Sequence, residues 1–197
     1  MKKILSMAGL WVAAAVTAAC STPASHFYTL SQTSAGNATA VASNVTVMVG
    51  PVSIPAIVDV PEIVVSTGPN QVRQDEFNRW ASPLANNITR VVVGDLVSLL
   101  GTPHVSAVQD AVELKPDYQV AIAVQTFESA PGTSATLGAI WTVRRTRDDK
   151  AESGRTDVSE SAGEKGYDAL VAAHSRALGR LSQDIADRIR SMERSTP

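Results

Sequence analysis

YDALVAAHSRALGRLSQDIADRIRSM, residues 167–192, is the stretch that decides the fold of this chain. Tyr167, Leu170, Val171, His174, Leu178, Leu181, Ile185, Ile189 and Met192 recur at three- and four-residue steps, which places them on one face of a long helix. Arg180, Asp184 and Arg188 fall at i,i+4 spacing on the outer face, where ion pairs along the helix would each add a few tenths of a kcal/mol. An apolar stripe with a charged back needs a second layer to cover it.

That layer is written upstream as alternating strands. Tyr118, Val120, Ile122 and Val124 alternate with Gln119 and Gln125, which predicts a strand over 118–127. Residues 139–145 and 155–161 read as a hairpin around the charged loop Asp148-Asp149-Lys150. Before them, Leu84, Ile88, Val91, Val92, Leu96, Leu99 and Leu100 trace another helix over about 83–100. Ser82-Pro83 supplies its start, with Ser82 as N-cap and Pro83 in the first turn. Gly101 and Pro103 end it. Asn86, Asn87, Arg90 and Asp95 occupy the far side, so the stripe faces a protein core.

Earlier still, Val45 to Val49 alternates and closes at Gly50-Pro51. Residues 54–65, broken by Pro55 and Pro61, form an extended segment ending in a short strand at 63–65. Gly68-Pro69-Asn70 is a turn signal, with Gln71 to Arg73 as the returning hairpin partner. His26 to Leu30 is a short β-prone run with Tyr28 and Leu30 on one side, and residues 31–44 read as a mobile loop. The expected order is β-β-(β-β)-α-β-β-β-α. This is an α/β (α+β) single-domain sandwich, two helices against a mainly antiparallel or mixed sheet, over residues 26–192 with a flexible C-terminus at 193–197.

The first nineteen residues belong to a different kind of segment. Lys2-Lys3, an apolar run from Ile4 to Ala19 and small residues at 18–19 form a secretory signal layout. The one cysteine of the chain, Cys20, follows directly, as in a lipoprotein signal whose thiol is acylated (palmitate among the chains). Plain secretion with a free Cys20 thiol and a retained anchor are the alternatives; the apolar run is shorter than the roughly 20 residues a membrane-spanning helix needs. Thr17 stands where Leu, Val or Ile is usual. Ser21 follows the cysteine rather than Asp, which favours sorting to an outer membrane. Residues 21–25 then form a tether of about 17 Å at ~3.3 Å per residue. Removing residues 1–19 takes Lys2 and Lys3 away and moves the formal net charge from −2 to −4. That balance gives no reason to expect nucleic acid.

Catalytic patterns are absent from the sequence. His26, His104 and His174 share no ligand spacing, and no nucleophile elbow, phosphate loop or zinc-type His-Glu pair occurs. Asn37, Asn44 and Asn87 match the glycosylation acceptor pattern by chance. The run Arg144 to Asp149 reads as a solvated hairpin end, or else as a polar contact with a partner protein. No metal and no cofactor is expected. Two surfaces are less ordinary. Phe77-Asn78-Arg79-Trp80-Ala81-Ser82-Pro83-Leu84 puts Arg79 and Trp80 just before a helix, either as a hydrophobic staple or as a partner contact. The proline-broken neighbour carries Ile57 and Val58, a candidate subunit or lipid-facing ridge.

These residues resemble a known family. His26-Phe27-Tyr28-Thr29-Leu30 behind the cysteine, Val49-Gly50-Pro51-Val52-Ser53-Ile54-Pro55, Pro61-Glu62-Ile63-Val64 and Phe77 to Leu84 are together similar to the PqiC/YmbA group, the ABC-type transport auxiliary lipoprotein component. The likeness spans roughly residues 20–191. It implies a non-enzymatic lipoprotein held by Cys20 in the inner leaflet of the outer membrane and facing the periplasm. It also implies a ring-like homo-oligomer, an MCE-domain tunnel protein as partner and phospholipid as cargo, in a system that supports membrane integrity. A structural or assembly lipoprotein without a transport role is the alternative. A hydrolase would need Ser, His and Asp to converge in a pocket.

Overall fold

The structure, a computed structural model, describes residues 24–33, 44–110, 115–163 and 166–195. Cys20 and the signal segment lie outside the described residues. Among the described residues, eight strands and two helices form an α+β fold with two mixed sheets and no closed barrel. The strands are β1 (His26–Tyr28), β2 (Val47–Ser53), β3 (Glu62–Gly68), β4 (Gln71–Trp80), β5 (Val105–Ala107), β6 (Tyr118–Ala130), β7 (Ser134–Arg145) and β8 (Ala151–Ser161). The helices are α1 (Leu84–Leu100) and α2 (Tyr167–Arg194).

The larger sheet runs β5-β2-β6-β7-β8, parallel on the β5, β2 and β6 side and antiparallel from β6 to β8. Its strands alternate because one face is covered. Along β7, Ala135, Leu137, Ala139, Trp141 and Val143 are buried, while Ile140 and Arg144 are exposed on the opposite face. α2 packs on β7 and β8, α1 on β2 and β5, and the two helices pack on each other. The smaller sheet runs β1-β4-β3, with β1 parallel and β3 antiparallel to β4, and β3 leans on β6.

Several expectations change in detail. Gly50-Pro51 does not end β2; the strand continues to Ser53 across a register shift between Val49 and Val52 that absorbs the cis Gly50-Pro51 bond. β4 is ten residues long instead of three, so Trp80 ends a strand. β5, too short to show a period, was not expected. Ser82 makes no N-cap hydrogen bond: Pro83 holds the cap position and the helix opens at Leu84. Gly101 ends α1 as expected, at φ +66°, where its N–H donates to the Val97 carbonyl.

The charged back of α2 also behaves differently from its i,i+4 spacing. Arg180 reaches Glu160, Asp184 accepts from Thr156 at 2.5 Å, and Arg188 pairs with Glu152 at 2.6 Å. All three partners lie on β8, so these charges fasten the helix to the edge strand. Arg145, expected in a solvated hairpin end, is 7% exposed and grips Asp148 through two nitrogens while donating to the Met192 carbonyl at 2.9 Å. Arg144, by contrast, is exposed and pairs with Asp149.

Candidate functional site

The region that holds the candidate contact residues is built from β1, β4, the start of β3 and the start of α1. β1 pairs with β4, His26 opposite Asn78, Phe27 opposite Arg79 and Tyr28 opposite Trp80. The Tyr28 carbonyl accepts from Ala81 N–H and the Pro61 carbonyl from Trp80 N–H, both at 2.8 Å, which joins all three strands at one end. Just beyond β1 the chain becomes a strap along the seam between the helices. Leu30 is fully buried there. Arg90 of α1 donates to the Leu30 carbonyl at 2.6 Å, and Ser31 N–H donates to Ser175 Oγ of α2 at 3.1 Å. Thr33 N–H donates to Asp95 Oδ1 at 3.2 Å, and Asp95, wholly buried, also accepts from Ser182 of α2. Gln32 lies across Gly94, where a Cβ would stand 1.6 Å from its amide nitrogen. Residues 31–33 of the expected loop are thus held down; residues 34–43 lie outside the described residues.

Of the four candidate contact residues, two sit inward and two outward. Trp80 is 6% exposed, with its ring edge-on to Phe127 of β6 at 6.2 Å. Val58 is buried under a 3-10 turn, Ala56–Val58. Ile57, in the same turn, is 57% exposed. Arg79 is partly exposed and bound to Glu62 of β3 at 2.7 Å. A groove of about 320 Å³ opens here, lined by Asp59, Val60, Pro61, Trp80, Ser82, Pro83 and Leu84. Trp80 therefore belongs both to the core and to the wall of an apolar depression.

A polar hub fixes this end to α2. Asp75, 8% exposed, accepts from Tyr167 OH at 2.5 Å and Arg73 Nη1 at 3.0 Å on Oδ2; on Oδ1 it accepts from the Phe77 and Asn78 backbone N–H groups and the Asn78 amide. Burial alone would raise the carboxyl pKa, but the hydrogen bonds from Tyr167, Asn78, Arg73 and Phe77 outweigh it and hold the group far below the usual range. Burial and the same contact push Tyr167 up to about 12. Tyr28 packs on Tyr167 with ring centres 5.8 Å apart and donates to Asn78 Oδ1. The hub escaped the sequence reading, although an Asp two and three residues before the N–H groups it accepts is a local Asx signal.

Among the described residues a Ser–His contact stands out. Ser129 Oγ and His174 Nε2 are 2.8 Å apart, with the His174 ring stacked on Phe127 at 3.9 Å. Both residues are at most 2% exposed, and His174 Nδ1 has no hydrogen-bond partner among the described residues. A hydrolytic Ser–His pair needs an orienting group on that nitrogen and a substrate within reach of the oxygen. This pair has neither, and reads as core packing. Among the described residues no group of three His, Cys, Asp or Glu side chains stands close enough to hold a metal ion, and no helix is long and apolar enough to cross a membrane.

Residues 28–186 match the family model of the ABC-type transport auxiliary lipoprotein component. The chain belongs to that family. Membership makes it an auxiliary component of a transport system and a lipoprotein of the cell envelope. Two solved structures share the fold. One, described as an uncharacterized protein, aligns at TM-score 0.69 and 18% identity over 85% of this chain and 99% of its own. The other, protein XCC0632 from Xanthomonas campestris, of family-model DUF330, aligns at TM-score 0.69 and 21% identity over 82% of this chain and 93% of its own. No curated protein matches the sequence. The family match begins at Tyr28, so its span includes the strap, the hub and the groove, and leaves out Cys20.

Proposed function

We propose that this auxiliary lipoprotein is a non-enzymatic docking collar of an MCE-type envelope lipid-transport system. Cys20 carries the acyl anchor in the inner leaflet of the outer membrane, the domain faces the periplasm, and copies assemble in a ring that receives the end of a tunnel-forming MCE protein. Phospholipid is the cargo, passing between tunnel and membrane without covalent chemistry. The observation that carries this reading is the family match over residues 28–186, behind a signal layout ending in Cys20. The short distance from Cys20 to the strap adds physical support: a chain fastened along the helix seam from Leu30 to Thr33 leaves little slack between domain and anchor. Arg79, Trp80, Ile57 and Val58 mark the end of the domain offered for contacts with membrane or neighbours.

Two measurements test it. Cys20→Ala is expected to move the protein from the outer-membrane fraction to the soluble periplasm; retention in the membrane would end the anchor reading. The wild-type protein, extracted in detergent, is expected to run at the mass of a multi-subunit ring and to bring an MCE-domain protein with it. A monomer that captures no such partner would favour a structural envelope lipoprotein instead.

A further inference from the structure

Phe27 and Ile57 are the two most exposed of the large apolar side chains that stand out on the surface of the described residues, at 65% and 57%. Phe27 lies in β1, the first strand after Cys20, and Ile57 lies in the turn before β3, whose start meets the same last residues of β4 that β1 pairs with. Phe27 lies opposite Arg79 in the β1–β4 register. The turn bearing Ile57 runs through Pro61, which is hydrogen-bonded to Trp80, into β3. The charges beside Phe27 are already matched, because Arg79 and Glu62 pair at 2.7 Å. The groove walled by Val60, Pro61, Trp80, Pro83 and Leu84 adds further apolar surface at this end.

The position of the anchor decides what covers this surface. Phe27 is seven residue steps beyond Cys20, a span of at most about 24 Å when fully extended. Beyond Tyr28 the chain is pinned between the helices, so the domain cannot swing away by unpeeling its first strand. We propose that this end of the three-stranded sheet seats on the bilayer surface, with Phe27 and Ile57 entering the interfacial region beside the acyl anchor. The proposal rests on the lipid-anchor reading of Cys20. Two side chains suffice because tethering makes their contact intramolecular, at an effective concentration on the order of millimolar for a short linker. An aromatic ring and a branched aliphatic suit the headgroup boundary. The mature chain is formally acidic, so the contact is apolar and insensitive to salt. Seating would give the domain one orientation on the membrane, which an anchor alone does not.

The test uses the full acylated chain in vesicles of phosphatidylethanolamine and phosphatidylglycerol. Acylation consumes the thiol of Cys20, the one cysteine of the chain, so Phe27→Cys, Ile57→Cys and Ser153→Cys each introduce a unique site for a nitroxide label. Ser153 is exposed on the uncovered face of the larger sheet and serves as reference. Labels at 27 and 57 are expected to collide several-fold more with oxygen than with an aqueous nickel chelate, relative to the label at 153, at both low and high salt. Labels at 27 and 57 as open to the nickel chelate as the one at 153 would overturn the proposal. Labels shielded from both reagents would overturn it too, by placing these side chains between copies of the chain. Failure of the unlabelled protein to float with the vesicles would overturn the anchor reading itself, and flotation without seating separates the two failures.

Discussion

On the five-stranded sheet, Val47, Val49, Val120, Leu137 and Val143 are buried in one apolar layer with the helices, whereas the three-stranded sheet joins the same core through Ile63, Val64, Val65 and Trp80 and reaches α2 through the Asp75–Tyr167 hydrogen bond and the Tyr28–Tyr167 ring contact. The first attachment depends on area and shape and spreads over many side chains. The second adds to its apolar share one carboxylate and one set of aromatic contacts. Those contacts cross the molecule: Trp80 of β4 meets Phe127 of β6 edge-on, and Phe127 lies flat on His174 of α2. The smaller sheet is therefore joined to the core by apolar burial and, beside it, by a few identifiable polar and aromatic contacts.

Trp80→Ala probes the aromatic joint and carries the largest expected effect. Emptying a 6%-exposed tryptophan site should cost about 4 kcal/mol. Urea melts beside mass measurements in detergent separate a stability defect from an assembly defect, and no change in either would remove Trp80 from both roles.

Asp75→Ala comes next. It strips the partners from Tyr167 OH and from the Phe77 and Asn78 N–H groups, for a loss of about 3 kcal/mol. Amide exchange in β3 and β4 should rise before that in β6 and β7. Uniform loss across both sheets would show that the two attachments are energetically one.

The smallest effect is a pH dependence. Burial pushes the His174 pKa down from 6.5 to about 3. A lowered folded-state value means that the unfolded chain takes up the proton first as pH falls. Stability is therefore full above about 6.5 and declines through the window below it, by about 2 kcal/mol between pH 7 and pH 5. His174→Leu should flatten that slope in paired melts at the two pH values; an unchanged slope would assign the acid sensitivity elsewhere.

The helices were legible because their signals are local. The stripe from Tyr167 to Met192 and the Gly101 stop both survive, within two residues at the end of α2. β6, too, lies where alternation places it. The candidate contact region was legible only in part. Phe77 to Leu84 stands out in the sequence, yet nothing in it reveals that Trp80 ends a ten-residue strand facing Phe127. Asp75 drew no notice, because its principal partner, Tyr167, stands 92 residues away. Arg180, Asp184 and Arg188 show the same limit: their spacing suits pairs along a helix, but a strand alongside offers them Glu160, Thr156 and Glu152.

By itself the sequence determined the α+β class, the two helices, the signal layout ending at Cys20 and the family resemblance, since periodicity, turn chemistry and short motifs act over a few residues. Only the tertiary structure decided that the strands divide into two sheets, that β1 runs parallel to β4, and that Leu30 to Thr33 lie in the seam between helices. Those arrangements pair groups far apart in the chain, where the choice of partner depends on which surfaces the whole fold leaves available.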